Sequence, residues 1–276
     1  MNIYKKVLKR TAASLIAVFL CLNKTNAATF LIEDFSTGYI DGNLVGQNGW
    51  LQTGTATTNP IQISSGKAVI GTTGQDIYKA LTTQIVKANV TSLYTRIDLS
   101  VNSAFTGGDY FFNLSDPVGT ASNFYQRLFI RSSGSGFVLG VQSTSGTGSL
   151  VTYGTTVYNF NETKTIILAW DMVAGGLNDT FSVYVDPIFS DRSLLTAEIN
   201  ANWLSTTGSE PALNISAVNF RQGSATAAPL VNVQGVNITD TFEELGIATI
   251  PEPSSSSLLL FGMIGLYGFR RLFRNG

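Results

Sequence analysis

Hydrophobic and polar residues alternate with a period of two along much of the chain. In residues 92–101, one face carries Leu93, Thr95, Ile97, Leu99 and Val101, and the other carries Tyr94, Arg96, Asp98 and Ser100. Successive side chains of a strand point to opposite faces, so this pattern predicts a half-buried β-strand. Comparable runs predict strands at 109–114, 124–131, 136–142, 163–170, 180–186 and 215–221, with a closing strand in 236–245.

Segments rich in Gly, Ser and Asn separate these runs, for example 132–136, 143–149 and 175–179. Such residues favour turns and loops. A short helical turn in 194–204 is the one helical element that we predict between the two terminal segments, and no repeat of fixed period occurs. Closely spaced strands without intervening amphipathic helices predict an all-β fold, an antiparallel two-sheet sandwich or jelly roll.

The N-terminal segment has the pattern of a secretory signal peptide. Four basic residues between positions 5 and 10 precede an apolar run at 12–22, and small residues follow at Ala27 and Ala28. This order indicates removal by signal peptidase after Ala27, and the apolar run is short of the roughly 20 residues that span a bilayer. We therefore expect residues 1–27 to be a signal peptide and the rest of the chain to be exported.

The C-terminal segment resembles the PEP-CTERM sorting signal of Gram-negative bacteria. Pro251, Glu252 and Pro253 precede an apolar stretch at 258–269 and a terminal basic cluster. The stretch includes Leu258, Leu259, Leu260, Phe261, Ile264, Leu266 and Phe269, and the cluster is Arg270, Arg271 and Arg274. The resemblance covers 251–276 and implies recognition by exosortase, a membrane-embedded cysteine protease, with release to the cell surface or extracellular matrix.

The physical properties of this tail agree with a transient membrane helix. Twelve apolar residues rising about 1.5 Å each cover only roughly 18 Å, less than the ~30 Å hydrocarbon core. The arginines would lie on the cytoplasmic side of the inner membrane, which leaves residues 28–250 outside. The two prolines keep the preceding backbone extended and accessible to a protease.

Composition narrows the function of residues 28–250. They carry nine basic residues against 17 acidic ones, a formal net charge of −8, which disfavours nucleic acid as a partner. The chain has no histidine, so the Ser-His-Asp triad and most transition-metal sites are excluded. Cys21, the only cysteine, lies in the signal segment, so we expect no disulfide after its removal.

Three segments of the middle region resemble concanavalin A-like, LamG-type jelly rolls. They are the opening 33–35 with 39–50, the internal 178–187, and the closing 240–245. The length of 28–250 is that of one β-sandwich, so we expect a single domain, and the resemblance implies this fold for it. None of these segments is a catalytic signature, so the resemblance implies little about activity.

Carboxylates are the candidates for chemistry. Retaining glycosidases need two carboxyl groups about 5 Å apart, which on a strand means positions i and i+2. The Glu-x-Asp spacings of jelly-roll glycosidases do not occur here, and the adjacent Glu243 and Glu244 would point to opposite faces of a strand. We therefore expect no enzymatic activity, with a secreted glycan hydrolase as the alternative.

Calcium and sugar offer two further possibilities. Seven aspartates lie near turns, where they either stabilise the turn or supply oxygen ligands to calcium: Asp34, Asp41, Asp76, Asp116, Asp171, Asp179 and Asp240. No motif of fixed spacing selects among them, so the metal ligands are unknown.

Exposed indoles commonly bind sugar rings, but we predict that Trp50 and Trp170 are core residues and leave Trp203 open. The sequence thus predicts an exported, non-catalytic module for adhesion, glycan binding or structural association with extracellular polysaccharide.

Overall fold

The computed structural model describes residues 27–116, 123–144, 150–173, 178–202 and 214–247. Within these ranges the regular elements are 17 strands and three single-turn 3-10 helices, at Lys87–Asn89, Arg192–Leu194 and Glu243–Leu245. The strands are β1 (Thr29–Asp34), β2 (Gly42–Asn43), β3 (Trp50–Thr53), β4 (Gln62–Ile63), β5 (Ala68–Ile70), β6 (Asp76–Val86), β7 (Ser92–Ser103), β8 (Asp109–Asp116), β9 (Asn123–Ser133), β10 (Gly136–Thr144), β11 (Thr152–Tyr153), β12 (Tyr158–Asn159), β13 (Thr163–Asp171), β14 (Thr180–Val185), β15 (Ile199–Asn202), β16 (Asn214–Phe220) and β17 (Leu230–Thr239).

The strands form two antiparallel sheets. The nine-stranded sheet has the order β15-β14-β13-β7-β17-β5-β4-β2, and β1 also pairs with β17. The eight-stranded sheet has the order β11-β10-β9-β8-β16-β6-β3, and β12 also pairs with β10. The predicted all-β, antiparallel two-sheet fold is therefore confirmed.

The hydrophobic core fills the space between the two sheets. From β7 it receives Leu93, Ile97, Leu99 and Val101, the apolar residues of the face that the alternation predicts to be buried. Trp50 of β3 is fully buried and stacks on Phe220 of β16, two strands away in the same sheet, with ring centroids 4.9 Å apart. Trp170 is also buried, so the prediction that these two tryptophans are core residues is confirmed.

The 11-residue strand β6 is absent from the strands predicted from the sequence, and the reason is a lysine on its inner face. Lys79 interrupts the apolar alternation because its Nζ forms an ion pair with Glu33 of β1 at 2.5 Å. The same carboxylate accepts hydrogen bonds from Trp50 Nε1 at 2.8 Å and from the Tyr39 hydroxyl. A charge buried in a core needs such partners, and here they join the two sheets.

Two sequence predictions about strand boundaries are wrong. The closing strand, β17, ends at Thr239 instead of continuing to 245, because Thr239 and Thr241 bond to one another and turn the chain. Residues 243–245 then form a 3-10 turn in which Glu243 and Glu244 are both exposed. In the segment predicted as a helical turn, Ile199–Asn202 is strand β15 and the 3-10 turn ends at Leu194.

A second, smaller core lies on the outer face of the nine-stranded sheet. Phe242 packs edge-on against Tyr94 and Tyr184, with centroids 5.4 and 5.8 Å away. Beside it, Arg192 donates two hydrogen bonds to Asp171, at 2.6 and 2.7 Å. This packing buries Tyr94 on the face that the alternation assigned to polar residues.

Most of the predicted addressing segments fall outside the described residues. This holds for the signal segment before Ala27 and for the whole of 251–276 with its sorting motif, apolar stretch and arginines. The described residues contain no helix with the length and hydrophobicity that a membrane span requires.

Candidate functional site

A groove on the outer face of the nine-stranded sheet is the main candidate for ligand binding. It lies over β1, β7 and β17, beside the last 3-10 turn, and has a volume of about 540 Å³. We call it the β1–β7–β17 groove. The residues that line it include Ile32, Asp34, Arg96, Asp98, Gln234 and Asn237. The volume falls in the range of ~300–1,000 Å³ that small-ligand sites occupy.

The floor of the groove is held in place by a guanidinium and a carboxylate. Arg96 Nε donates to both oxygens of Asp98, at 3.2 and 3.0 Å, and its Nη1 donates to the Leu245 carbonyl at 2.7 Å. Asp98 also accepts from the Thr165 hydroxyl at 2.6 Å. Arg96 and Asp98 are each about three-quarters buried, so this pair is a fixed part of the surface.

The rim of the groove is available to a ligand. Ile32 is 68% exposed although it lies in the middle of a strand. Asn237 Nδ2 donates to the Glu244 carbonyl at 3.2 Å, but its buried Oδ1 accepts no hydrogen bond from the described part of the chain. Unpaired buried acceptors are uncommon, and this oxygen can accept a hydrogen bond from water or from a ligand hydroxyl. Amides, a carboxylate and an apolar contact together can bind the hydroxyl groups and the ring of a sugar.

The seven aspartates considered for calcium all have partners within the chain. The donors are Ser36 and Thr37 for Asp34, Ser65 for Asp41, Gln222 for Asp76, Gln84 and Ser216 for Asp116, Arg192 for Asp171, Lys87 and Trp170 for Asp179, and Ala28 for Asp240. Among the described residues, no three carboxylate, cysteine or histidine side chains form a group that could hold a metal.

One carboxylate has the altered acidity expected of a general acid. Burial raises the pKa of Asp76, and the nearby charge of Asp109 adds to the rise. Asp76 nevertheless accepts a hydrogen bond from the Gln222 amide at 2.7 Å, and Asp109 pairs with Arg221 at 2.7 Å. Neither aspartate lines the groove. The arrangement uses both carboxylates to join strands.

Sequence reasoning did not predict the groove. It placed Arg96 and Asp98 on the polar face of one strand, but nothing in the sequence shows that Ile32 and Asn237 lie beside them. Trp203, the remaining indole considered for sugar binding, lies outside the described residues. The available signal was the Arg-x-Asp spacing within an otherwise apolar strand, which places opposite charges side by side on one face.

The chain matches no family model and no curated protein. Similar folds occur among solved structures. They include the CBM2 module of an evolved Dit protein from Lactobacillus casei BL23 phage J-1, at 13% identity and a TM-score of 0.48, covering 78% of this chain and 96% of that one. The alginate lyase Aly36B is 11% identical with a TM-score of 0.49, covering 76% and 97%. An endo-1,3-beta-glucanase from Streptomyces sioyaensis is 12% identical with a TM-score of 0.48, covering 78% and 97%. At these identities the likeness concerns the fold alone.

Proposed function

We propose that this protein is an exported, non-catalytic glycan-binding module of the cell surface or extracellular matrix. The observation that carries the proposal is the β1–β7–β17 groove, where fixed polar groups surround an exposed apolar side chain. Sugar hydroxyls need both donors and acceptors, which Gln234 and Asn237 supply on side chains that carry no charge. Ile32 offers the apolar contact for one face of a pyranose ring.

Binding is favoured over the alternative of a glycan hydrolase. A hydrolase needs two carboxyl groups that face the scissile bond, one of them protonated. In the groove, Asp98 is neutralised by Arg96, and Asp34 accepts bonds from Ser36 and Thr37. Those bonds hold the pKa of Asp34 below its usual value, the opposite of what a general acid requires.

We further propose that the chain reaches the surface by signal cleavage after Ala27 and by PEP-CTERM sorting at Pro251, Glu252 and Pro253. Signal peptidase and an exosortase-like protease would then be its processing partners, with the inner membrane as a transient location. A contact at the cleavage position supports the first step. The Ala28 nitrogen donates to Asp240 Oδ1 at 2.8 Å, and Asp240 N donates to the Ala28 carbonyl at 3.1 Å.

Cleavage after Ala27 would turn this hydrogen bond into an ion pair, because the Ala28 nitrogen becomes an ammonium. We therefore expect Asp240→Asn to lower the free energy of unfolding by about 1 kcal/mol in a chain that begins at Ala28. In a chain that retains Ala27, where the nitrogen remains an amide, the same substitution should have a smaller effect. Urea unfolding of the four proteins measures the difference, and equal losses in both backgrounds would argue against the ion pair.

The groove is tested by removing its ligand contacts without disturbing its floor. In the double variant Ile32→Ala, Gln234→Ala, we expect affinity for the bound glycan to fall about ten-fold or more, because an apolar contact and an amide are both lost. Ile188→Ala is the matched control, since Ile188 is 69% exposed and lies outside the groove. The ligand is first found by screening the purified protein on a glycan array, with and without calcium.

The outcomes separate binding from the alternatives. If the double variant loses glycan binding and Ile188→Ala retains it, the β1–β7–β17 groove is supported as the binding site. Binding to no glycan on the array would contradict the proposed function. Release of reducing sugar from a bound glycan by the purified protein would favour the hydrolase instead.

A further inference from the structure

A second surface of unusual composition lies on the outer face of the eight-stranded sheet. It consists of Arg127, Arg131, Tyr110, Phe124 and Tyr153, and we call it the arginine–aromatic face. The Arg127 guanidinium carbon lies 4.4 Å from the ring centroid of Tyr110 and 5.1 Å from that of Phe124. The Arg131 guanidinium carbon lies 3.9 Å from the centroid of Tyr153. These distances are those of cation–π contacts.

Stacking of this kind fixes a guanidinium but leaves its edge available. The N–H groups of arginine lie in the guanidinium plane, so a ring that covers the flat face does not use them. Arg127 Nη1 donates to Gln142 Oε1 at 2.9 Å, and among the described residues its buried Nε has no acceptor. The two arginines lie four positions apart on β9, with Phe129 between them, so all three side chains lie on one face.

The charge balance of this face differs from that of the rest of the domain. Six of the nine basic residues in 28–250 form ion pairs with carboxylates: Lys79, Lys87, Arg96, Lys164, Arg192 and Arg221. Within the described residues, neither Arg127 nor Arg131 pairs with a carboxylate. Acidic residues outnumber basic ones 17 to nine in 28–250, so the domain has more carboxylates than its basic residues need for pairing. In the part of the chain that the structure describes, these two arginines of β9 therefore lack a directly paired carboxylate, although the charge of Asp109 is close enough to act on Arg127.

We propose that the arginine–aromatic face is a second binding site, specific for an anionic glycan whose carboxylates or sulfates pair with Arg127 and Arg131. Four residues of strand place the Cα atoms of Arg127 and Arg131 about 13 Å apart on one face, a spacing that suits charges repeated along a linear polymer. Partial burial strengthens each pair, because the surrounding dielectric is lower than that of water. Burial also lowers the pKa of Arg127, which still leaves a guanidinium charged at neutral pH.

An anionic glycan fits this face better than a nucleic acid. Nucleic-acid binding relies on many phosphate contacts along an extended basic footprint, whereas this face offers two arginines and the net charge of −8 disfavours every densely charged polyanion. A glycan with spaced charges needs only the local pair of arginines. Because the groove lies on the other sheet, one molecule would hold two glycan chains at once and link them.

The test compares charged glycans with neutral counterparts of the same backbone, using the full-length chain purified in mild detergent. The probes are oligogalacturonate and its methyl ester for carboxylates, and dextran sulfate and dextran for sulfates. We expect the charged member of at least one pair to bind about ten-fold or more tightly than the neutral one, since hydrogen bonds to charged groups are the strong ones. Affinity for it should fall as salt is raised.

Substitutions then locate the binding. Arg127→Gln and Arg131→Gln should each weaken binding of the charged glycan about ten-fold, and Arg131→Lys should lose less because it keeps the charge. Lys67→Gln, which removes a charge elsewhere, is the control and should change nothing. Circular dichroism and urea unfolding check that each variant is folded.

The proposal is overturned if neither charged probe binds, if the neutral forms bind equally well, or if Arg131→Gln has no effect. Equal or tighter binding of a DNA oligonucleotide, lost in the same variants, would replace the glycan with a nucleic acid. Failure of the second-site proposal can be told apart from failure of glycan binding in the groove, because the double variant Ile32→Ala, Gln234→Ala leaves the arginine–aromatic face unchanged. A glycan that binds through the groove alone would keep the proposed function and refute this second site.

Discussion

Replacement of Asp179 by alanine should lower the free energy of unfolding by about 3–5 kcal/mol, because it removes a buried carboxylate that forms an ion pair with the buried Lys87 ammonium. The Lys87 ammonium lies 2.8 Å from Asp179 Oδ2, and the two side chains are 7% and 2% exposed. The same carboxylate accepts from Trp170 Nε1 at 2.9 Å and from the Val173 amide at 2.8 Å. The substitution therefore removes the acceptor of three donors.

Two comparisons show which part of this loss is electrostatic. Asp179→Asn keeps an acceptor for the Trp170 and Val173 donors but removes the charge, so we expect an intermediate loss. Glu162→Ala serves as the surface control, because Glu162 is half exposed and lies 3.5 Å from Lys164. Exposed pairs contribute at most about 1 kcal/mol. Urea unfolding followed by tryptophan fluorescence measures the free energy of unfolding of the three variants. A loss below about 1 kcal/mol for Asp179→Ala would contradict the role of Asp179 as a stabilising buried carboxylate.

Alanine substitution of Pro251, Glu252 and Pro253 together should convert the released protein into a membrane-bound precursor. If the tripeptide is the recognition element of an exosortase-like protease, export continues but the tail is retained. The apolar stretch 258–269 then remains inserted, with Arg270, Arg271 and Arg274 on the cytoplasmic side. Immunoblotting of membrane and surface fractions, in a host that has an exosortase, measures the change.

Further variants separate recognition from anchoring. Replacing Ser254, Ser255 and Ser256 with alanine changes three adjacent residues and should leave processing unaffected. Replacing Arg270, Arg271 and Arg274 with serine removes the charges that stop translocation, so more uncleaved precursor should pass through the membrane. Mass spectrometry of the wild-type surface form is decisive, since finding residues 258–276 still attached would refute the sorting hypothesis and leave a simple membrane anchor.

The sequence alone determined the fold class and the kinds of chemistry open to the protein. Alternation in 92–101 predicted β7 because the direction of a side chain on a strand depends only on its position, a local property. The strands at 109–114, 124–131 and 163–170 were recognised in the same way and differ from β8, β9 and β13 only at their ends. The absence of histidine removed whole classes of mechanism without reference to any structure.

Only the tertiary structure decided which residues meet. Strand β6 was not predicted because Lys79, a lysine on its inner face, interrupts the apolar alternation. Its partner Glu33 makes this lysine compatible with the core, and only the structure shows that the two residues meet. From the sequence, Asp179 is a candidate turn residue. Its ion pair with Lys87, 92 positions away, is visible only in the structure. The groove joins β1 to β17, from the two ends of the domain. Pairing between strands distant in sequence is set by cooperative packing of the whole core, and local patterns carry no information about which strands become neighbours.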